Sequence, residues 1–227
     1  MINQSIEMLE KVAAILEQIP KTFVFTGGAT ISLYVDEVTQ SDIRPTDDVD
    51  CVVEITSKGQ YYQLAEKLRE LGLEESTELN IPLCRWKYQE INIDIIPCDE
   101  TVLGFTNRWY APAIKSAISY QLPSNRIIKI FSLPYFLASK IEAFIGRGEN
   151  SFYWSTDIED IITLIDGCSS LEIEVKNGDR EVREFIRNWF QNNIESLLSV
   201  LPGFLSPISR NSGRVQLLNN LIKRLAS

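Results

Sequence analysis

The chain has 227 residues, 44% of them apolar and 23% charged, so it is long enough to bury a core and too apolar for a disordered chain. A formal charge of −9 argues against non-specific coating of nucleic acid, and the absence of histidine excludes mechanisms that use an imidazole as base or metal ligand. Any metal ion must be held by oxygen atoms, which points to Mg²⁺, Mn²⁺ or Ca²⁺.

The charge is unevenly distributed along the chain. Residues 171–227 contain 8 Lys and Arg against 6 Asp and Glu, a net charge of +2. Since the whole chain carries −9, residues 1–170 carry −11. A basic face in the C-terminal part is compatible with this distribution, whereas uniform binding along a polyanion is not.

Cysteine spacing and hydropathy bear on the compartment. The four cysteines are scattered without a C-x-x-C pair, which predicts buried free thiols rather than a metal site or a disulfide framework. No apolar run approaches the ~20 residues that span a bilayer, and "MINQSIEMLEKV" lacks signal-peptide features. The sequence thus predicts a cytoplasmic protein without a membrane partner.

The predicted elements of the first half alternate between helices and strands. Apolar residues at helical spacing from Ile6 to Leu16 predict a first helix, which Pro20 closes. A short buried strand, "KTFVFT", follows and stops at Gly27-Gly28. The remaining segments are a helix behind the glycine turn ("ATISLYV"), a β-branched strand ("DVDCVVEI"), an amphipathic helix ("GQYYQLAEKLRELGL"), two hairpin strands around Gln89-Glu90 ("CRWKYQ" and "INIDIIP") and a further strand ("RIIKIFS").

The pattern becomes helical from Ser132, the predicted N-cap of a helix with Pro134 in its first turn. The predicted helices are "YFLASKIEAFI", "STDIEDIITLID", "DREVREFIRNWFQNNIESLLSVL" and "RVQLLNNLIKRLA". The sequence therefore predicts an α/β (α+β) fold, with a mixed sheet and flanking helices over residues 1–130 and an all-helical C-terminal domain over residues 131–227.

Three carboxylates are predicted to meet on this sheet. The two-residue period of a strand places Asp48 and Asp50 on one face, and it places Asp94 opposite three isoleucines of its own strand. If the two strands are neighbours, the carboxylates converge, which is unfavourable without a cation. Two Mg²⁺ ions would relieve the repulsion and support in-line displacement at phosphorus.

The glycine pair is the second candidate feature. Gly27 and Gly28 allow backbone N–H groups to approach a phosphate closely, and the helix that follows points its N-terminus at the anion. Thr26 or Thr30 can add a hydroxyl contact. Arg44 either pairs with Asp47 or binds a triphosphate, and the residues favour neither interpretation.

Together these segments resemble a known signature. "FTGGAT", "RPTDDVD" and "INIDIIP" resemble the glycine pair, D-x-D and third strand carboxylate of the DNA polymerase β-type nucleotidyltransferase superfamily. "YFLASKIEAFIGRG" and "STDIEDIITL" are similar to the bacterial AbiEii/AbiGii-type nucleotidyltransferases, in which a helical Lys and an Arg precede a D-x-x-D helix. The resemblance covers residues 20–167. The sequence departs from the pattern in its Gly-Gly, its long spacing to the D-x-D, and Thr156 where a basic residue is common.

The resemblance implies a role for each matching residue. Gly27 and Gly28 would cradle a triphosphate, and Lys140 would contact phosphate. Asp157 would support the site, and the metals would be bound by Asp48, Asp50 and Asp94. From the residues alone, a solvated helix lysine is the favoured interpretation of Lys140, and the acidic first turns that many helices have account for Asp157 and Asp160 as well as a function does. Arg147 lies two turns beyond Lys140 on the same face, so both cations can reach one anion.

The predicted function is Mg²⁺-dependent transfer of an NMP from an NTP to a hydroxyl or phosphate acceptor, with release of pyrophosphate. Two Mg²⁺ ions are expected, with Mn²⁺ as a substitute. The resemblance implies a toxin role, with tRNA or another RNA as acceptor and a cognate antitoxin as partner. A small-molecule or protein acceptor stays open, as does a catalytically silent nucleotide-binding protein.

Overall fold

The computed structural model describes residues 4–36, 43–76, 82–147, 151–206, 210 and 213–227. Over these residues the chain divides into two compact units. The first comprises residues 1–32 and 44–132, and the second comprises residues 33–43 and 133–227.

The first unit contains one mixed sheet. Its strands are β1 (Phe23–Thr26), β2 (Asp48–Val53), β3 (Glu74–Glu75), β4 (Arg85–Tyr88), β5 (Ile91–Pro97), β6 (Ile118–Gln121) and β7 (Ile127–Ile130). They lie in the order β3-β4-β5-β2-β1-β7-β6. The β2–β5 and β1–β7 pairs are parallel, and the other neighbouring pairs are antiparallel.

Helices flank the sheet of this unit. They are α1 (Gln4–Leu16), a 3-10 helix (Gly28–Leu33), α2 (Lys58–Glu70), α3 (Glu100–Leu103) and α4 (Tyr110–Lys115). The core lies where apolar strand faces are covered: β1 is buried throughout, and Ile93 and Ile95 of β5 are fully buried. The alternation in β2, with Asp48 and Asp50 half-buried and Val49 and Cys51 buried, confirms the predicted faces.

The described residues of the second unit form helices and loops. The helices are α5 (Leu133–Gly146), α6 (Thr156–Gly167), α7 (Leu171–Asn177), α8 (Arg180–Phe204) and α9 (Arg214–Leu225). Ser155 caps α6 by accepting a hydrogen bond from the Ile158 N–H, which stabilises the helix that carries the D-x-x-D residues. The mixed sheet with an all-helical C-terminal region confirms the predicted fold class.

The predicted elements were found with some differences. The hairpin turns at Gln89-Glu90, as predicted, with Gln89 at φ 54. The segment after the glycine pair was predicted as an α-helix, but it is a 3-10 helix. A buried Thr30 explains the tighter turn, because its N–H and hydroxyl both donate to the Gly27 carbonyl. The elements that were not predicted are short: β3, β6, α3, α4 and α7.

The cysteines carry no disulfide, and three of the four are buried as predicted, whereas Cys98 is half-buried. Burial raises the pKa of the Cys84 thiol to about 12, with the nearby Asp94 and Asp50 carboxylates adding to it. Burial likewise raises the pKa of Cys51 well above its usual range. Both thiols therefore stay protonated and unreactive at neutral pH. In the described part of the chain, no helix has the length and apolarity to cross a membrane.

Candidate active site

The register of the sheet places four polar side chains in one row. Thr26 of β1 lies opposite Asp50 of β2, Asp50 is paired with Asp94 of β5, and Asp94 lies opposite Arg85 of β4. Residues paired in this way point to the same face of the sheet, and adjacent strands are about 4.8 Å apart. The two carboxylate-bearing strands, β2 and β5, are therefore neighbours, which is the condition under which their carboxylates were expected to converge.

Arg85 is the cation of this row. Its Nε donates to Asp94 Oδ1 and its Nη2 to Asp94 Oδ2, both at 2.7 Å, and Nη2 also donates to Asp48 Oδ2 at 3.0 Å. The hydrogen bond with Asp94 is the main reason why the pKa of Arg85 is raised above its usual value. The protein thus supplies its own positive charge to two of the three carboxylates.

Arg85 was not predicted as a site residue, although the sequence contained a signal for it. The predicted hairpin turns at Gln89-Glu90, so counting back from a two-residue turn pairs Tyr88 with Ile91 and Arg85 with Asp94. An arginine directly opposite a carboxylate on a neighbouring strand is a favourable cross-strand pair. This counting was sufficient to place Arg85 in the site.

The remaining aspartates of the acidic segment differ in their surroundings. Asp48 Oδ1 accepts a hydrogen bond from the buried Thr46 hydroxyl at 2.8 Å, so both of its oxygen atoms have partners. Asp47, between these two residues, is exposed. The acidic run therefore separates into Asp50 of the row, Asp48 two residues along the same face of β2, and the surface carboxylate Asp47.

The glycine pair lies directly against Asp50. Gly27 has φ +77, and a Cβ at this position would overlap the Asp50 carboxylate, whose Cγ lies 2.6 Å away. A Cβ on Gly28 would lie 3.2 Å from Thr46 Oγ1 and 3.5 Å from Arg44 Nη2. Glycine is thus required at position 27, both for the backbone conformation and for the close approach of Asp50. The Arg44 guanidinium lies beside this turn.

The predicted metal ligands match Mg²⁺ or Mn²⁺ in their chemistry, because all three are carboxylates. Across the residues that the structure describes, however, no group of three or more acidic or cysteine side chains is arranged to hold a metal ion. Instead, both oxygens of Asp94 and one of Asp48 accept hydrogen bonds from the Arg85 guanidinium. A guanidinium lies where the sequence predicted metal coordination.

The residues predicted in the helical part form a second charged cluster. Lys140 Nζ lies 2.6 Å from Asp160 Oδ2 and 3.7 Å from Asp157 Oδ1, and Arg147 Nη1 lies 3.0 Å from Asp157 Oδ2. Arg147 also donates to the Thr156 hydroxyl at 3.4 Å. Lys140 is therefore not a solvated lysine, and the anion that both cations reach is Asp157.

Burial separates the two cations of this cluster. The side chain of Lys140 is 12% exposed and that of Arg147 is 59% exposed, whereas Asp157 and Asp160 are each 2% exposed. Removing one partner of a buried ion pair costs about 3–5 kcal/mol, and removing an exposed partner costs up to about 1 kcal/mol. We therefore expect Lys140→Met to destabilise the protein strongly and Arg147→Met weakly. Urea unfolding of both variants tests this, and equal losses of stability would contradict it.

The fold has counterparts among solved structures. It is similar to an antigenic nucleotidyltransferase-like protein from Paracoccidioides brasiliensis, with a TM-score of 0.53, 21% identity, and coverage of 87% of this chain and 92% of that one. The antibiotic-resistance factor ANT(2″)-Ia matches with a TM-score of 0.52 and 16% identity, over 87% of this chain and 96% of that one.

A further structure, ANT(2″)-Ia in complex with adenylyl-2″-tobramycin, matches with a TM-score of 0.50 and 14% identity, over 81% of this chain and 95% of that one. No family model matches the chain, and no curated protein matches its sequence significantly. At these identities the likeness concerns the fold, and the fold of this chain is nucleotidyltransferase-like.

Proposed function

We propose that the protein is a Mg²⁺-dependent nucleotidyltransferase that moves an NMP from an NTP to an acceptor hydroxyl and releases pyrophosphate. One observation carries this proposal: Asp50 lies between the Gly27 turn and Asp94 on adjacent strands of a nucleotidyltransferase-like sheet. A glycine turn and a row of carboxylates then occur side by side, and these are the two features that transfer at phosphorus requires.

The residues of the sheet unit have separate roles in this proposal. The backbone of Gly27 and Gly28 binds the triphosphate, and Arg44, beside the turn, adds a positive charge. Asp48, Asp50 and Asp94 would hold two Mg²⁺ ions, for which Mn²⁺ can substitute, and the metal would neutralise the charge on the triphosphate. Thr30 closes the turn through its bond to the Gly27 carbonyl, so we assign it a positioning role.

The helical cluster enters the proposal through the resemblance alone. Lys140 and Arg147 would bind phosphate, and Asp157 would support them. Both cations are ion-paired with Asp157, and Lys140 also with Asp160. In this proposal the two aspartates hold the cations in fixed positions, as pre-organised binding groups require.

We propose a small molecule as the acceptor, and its nature follows from charge. Residues 1–170 carry −11, which repels a polyanion and attracts a cationic compound. The ANT(2″)-Ia complex contains a small molecule that carries an adenylyl group, which is consistent with this acceptor class for the fold. The AbiEii/AbiGii-type alternative, a toxin acting on tRNA and neutralised by an antitoxin, depends on the sequence resemblance and is tested beside it.

Label transfer identifies the nucleotide and the acceptor class together. Each of the four α-³²P-NTPs is incubated with Mg²⁺ and the protein, in turn with a panel of hydroxylated amines, total RNA and cell protein. We expect label on a small cationic compound with one preferred NTP. Label on RNA or protein would overturn the acceptor class but keep the reaction. Folded protein that binds Mg-NTP without labelling any pool would point to a silent nucleotide-binding protein.

A further inference from the structure

The carboxylate row presents an unusual combination of charges. Asp50 and Asp94 of the row and Asp48 beside it normally repel each other, and the fold class implies that a divalent metal offsets this repulsion. In this protein a guanidinium already offsets it, because Arg85 binds Asp94 through two hydrogen bonds and Asp48 through a third. All three hydrogen bonds join side chains of the protein itself.

We propose that Arg85 is a resident competitor of the divalent metal: its guanidinium holds Asp94 and Asp48 in the metal-free protein, and it must release them before they bind a metal ion. This inference rests on the proposed function, since it concerns the same carboxylates. In this inference Arg85 is the residue that sets the metal affinity of the site.

The contacts make the two occupants mutually exclusive. Charge-assisted hydrogen bonds of a planar guanidinium to a carboxylate are short and strong, and the two bonds to Asp94 are 2.7 Å each. A divalent ion on the same oxygens would lie within a few ångströms of this positive charge, and the repulsion between them is large in a partly buried site. The Asp94 side chain is only 9% exposed, so water does little to screen that repulsion.

Two consequences follow for the metal-free protein. First, the fold does not need a metal, because Arg85 already offsets the repulsion in the row. Second, free metal binds weakly, because displacing Arg85 subtracts from the binding free energy. Replacing Arg85 by an uncharged residue reverses both: the metal-free protein loses stability, and the metal binds more tightly.

Mn²⁺ binding to the full chain without nucleotide tests the inference. The loss of the free Mn²⁺ EPR signal on titration gives the affinity for the wild type, Arg85→Gln and the control Lys87→Gln. Lys87 is exposed and lies two residues further along the same strand. Its replacement by Gln removes one positive charge, as Arg85→Gln does. We expect Arg85→Gln to bind Mn²⁺ at least about tenfold more tightly, with Lys87→Gln within about twofold of the wild type.

Thermal unfolding supplies a second readout. Without metal, Arg85→Gln should unfold at a lower temperature than the wild type, and Mn²⁺ should raise its unfolding temperature by more. If Arg85→Gln does not fold, Arg85→Lys replaces it in the test, because lysine keeps the positive charge but cannot donate the two parallel hydrogen bonds to Asp94. We expect Arg85→Lys to bind Mn²⁺ at least about threefold more tightly than the wild type. Equal or weaker binding by these variants overturns the competition.

The outcomes separate this inference from the proposed function. Mn²⁺ that binds equally to the wild type and Arg85→Gln, and is lost in Asp50→Asn, overturns the role of Arg85 but leaves the metal-dependent site in place. Folded Arg85→Gln that binds no Mn²⁺ at all overturns both, because then the row does not hold a metal even without its competitor.

Discussion

Asp50→Asn is expected to lower the rate of nucleotidyl transfer by at least about a thousandfold, which corresponds to about 4 kcal/mol of transition-state stabilisation. Asp50 is the carboxylate of the row that lies against the Gly27 turn, and it is paired in register with Asp94. The amide has the same shape and no charge, so it preserves the packing and removes a hard anionic ligand. Initial rates of label transfer at saturating NTP measure the effect.

Asp47→Asn is the matched control for this variant. Asp47 lies three residues before Asp50 and is exposed, so its replacement changes the net charge equally without touching the row. We expect its transfer rate to stay within about twofold of the wild type, as is usual for surface substitutions. Equal losses in the two variants would mean that general charge, not the position of Asp50, controls the rate.

Gly27→Ala is expected to destabilise the protein by about 3 kcal/mol or more and to abolish transfer. Two independent effects add at this residue. Its φ of +77 is unfavourable for any residue with a Cβ, and the added methyl overlaps the Asp50 carboxylate. Because Asp50 must move, the variant should lose activity even under conditions in which it is folded. Urea unfolding and label transfer measure the two losses separately.

Gly72→Ala separates the two effects. Gly72 has φ +84, and nothing lies within 4 Å of an added Cβ, so this variant shows the backbone cost alone, about 1–2 kcal/mol. The contact with Asp50 is tested in an Asp50→Ala background, which removes the Cγ at 2.6 Å and leaves the Cβ at 2.9 Å. We expect the cost of Gly27→Ala to fall there by at least about 1 kcal/mol. Identical costs for Gly27→Ala and Gly72→Ala would contradict the close approach of Asp50.

Much of the sheet and its site could be predicted because the pattern of these strands is strong. Two-residue periodicity placed Asp48 and Asp50 on one face, and four isoleucines identified the strand of Asp94. The turn at Gln89-Glu90 fixed the register of the hairpin. The short elements β3, β6, α3, α4 and α7 could not be predicted, because segments of two to seven residues show too little hydrophobic periodicity. Such short elements are stabilised by tertiary packing, which the local sequence does not show.

The organisation of charge was harder to predict. Adjacent acidic residues suggested a metal ion, but any cation can relieve the repulsion among carboxylates. The local sequence does not show whether that cation is a metal ion or a distant side chain of the same chain. Arg85 is 9 residues from Asp94 and 37 from Asp48, so only the register of β4 and β5 brings it to both. Lys140 similarly looked like a surface lysine until the packing of α5 on α6 placed it against Asp160.

Parallel reactions with α-³²P- and γ-³²P-labelled NTP distinguish transfer of a nucleotidyl group from every other reaction of the triphosphate. The acceptor is the compound labelled best in the panel, and Asp50→Asn is run beside the wild type. We expect the α label on the acceptor, the γ label in an equal amount of pyrophosphate, and neither labelled product with Asp50→Asn. Transfer of the γ label to the acceptor, or release of γ label as orthophosphate alone, would show that the protein does not transfer a nucleotidyl group.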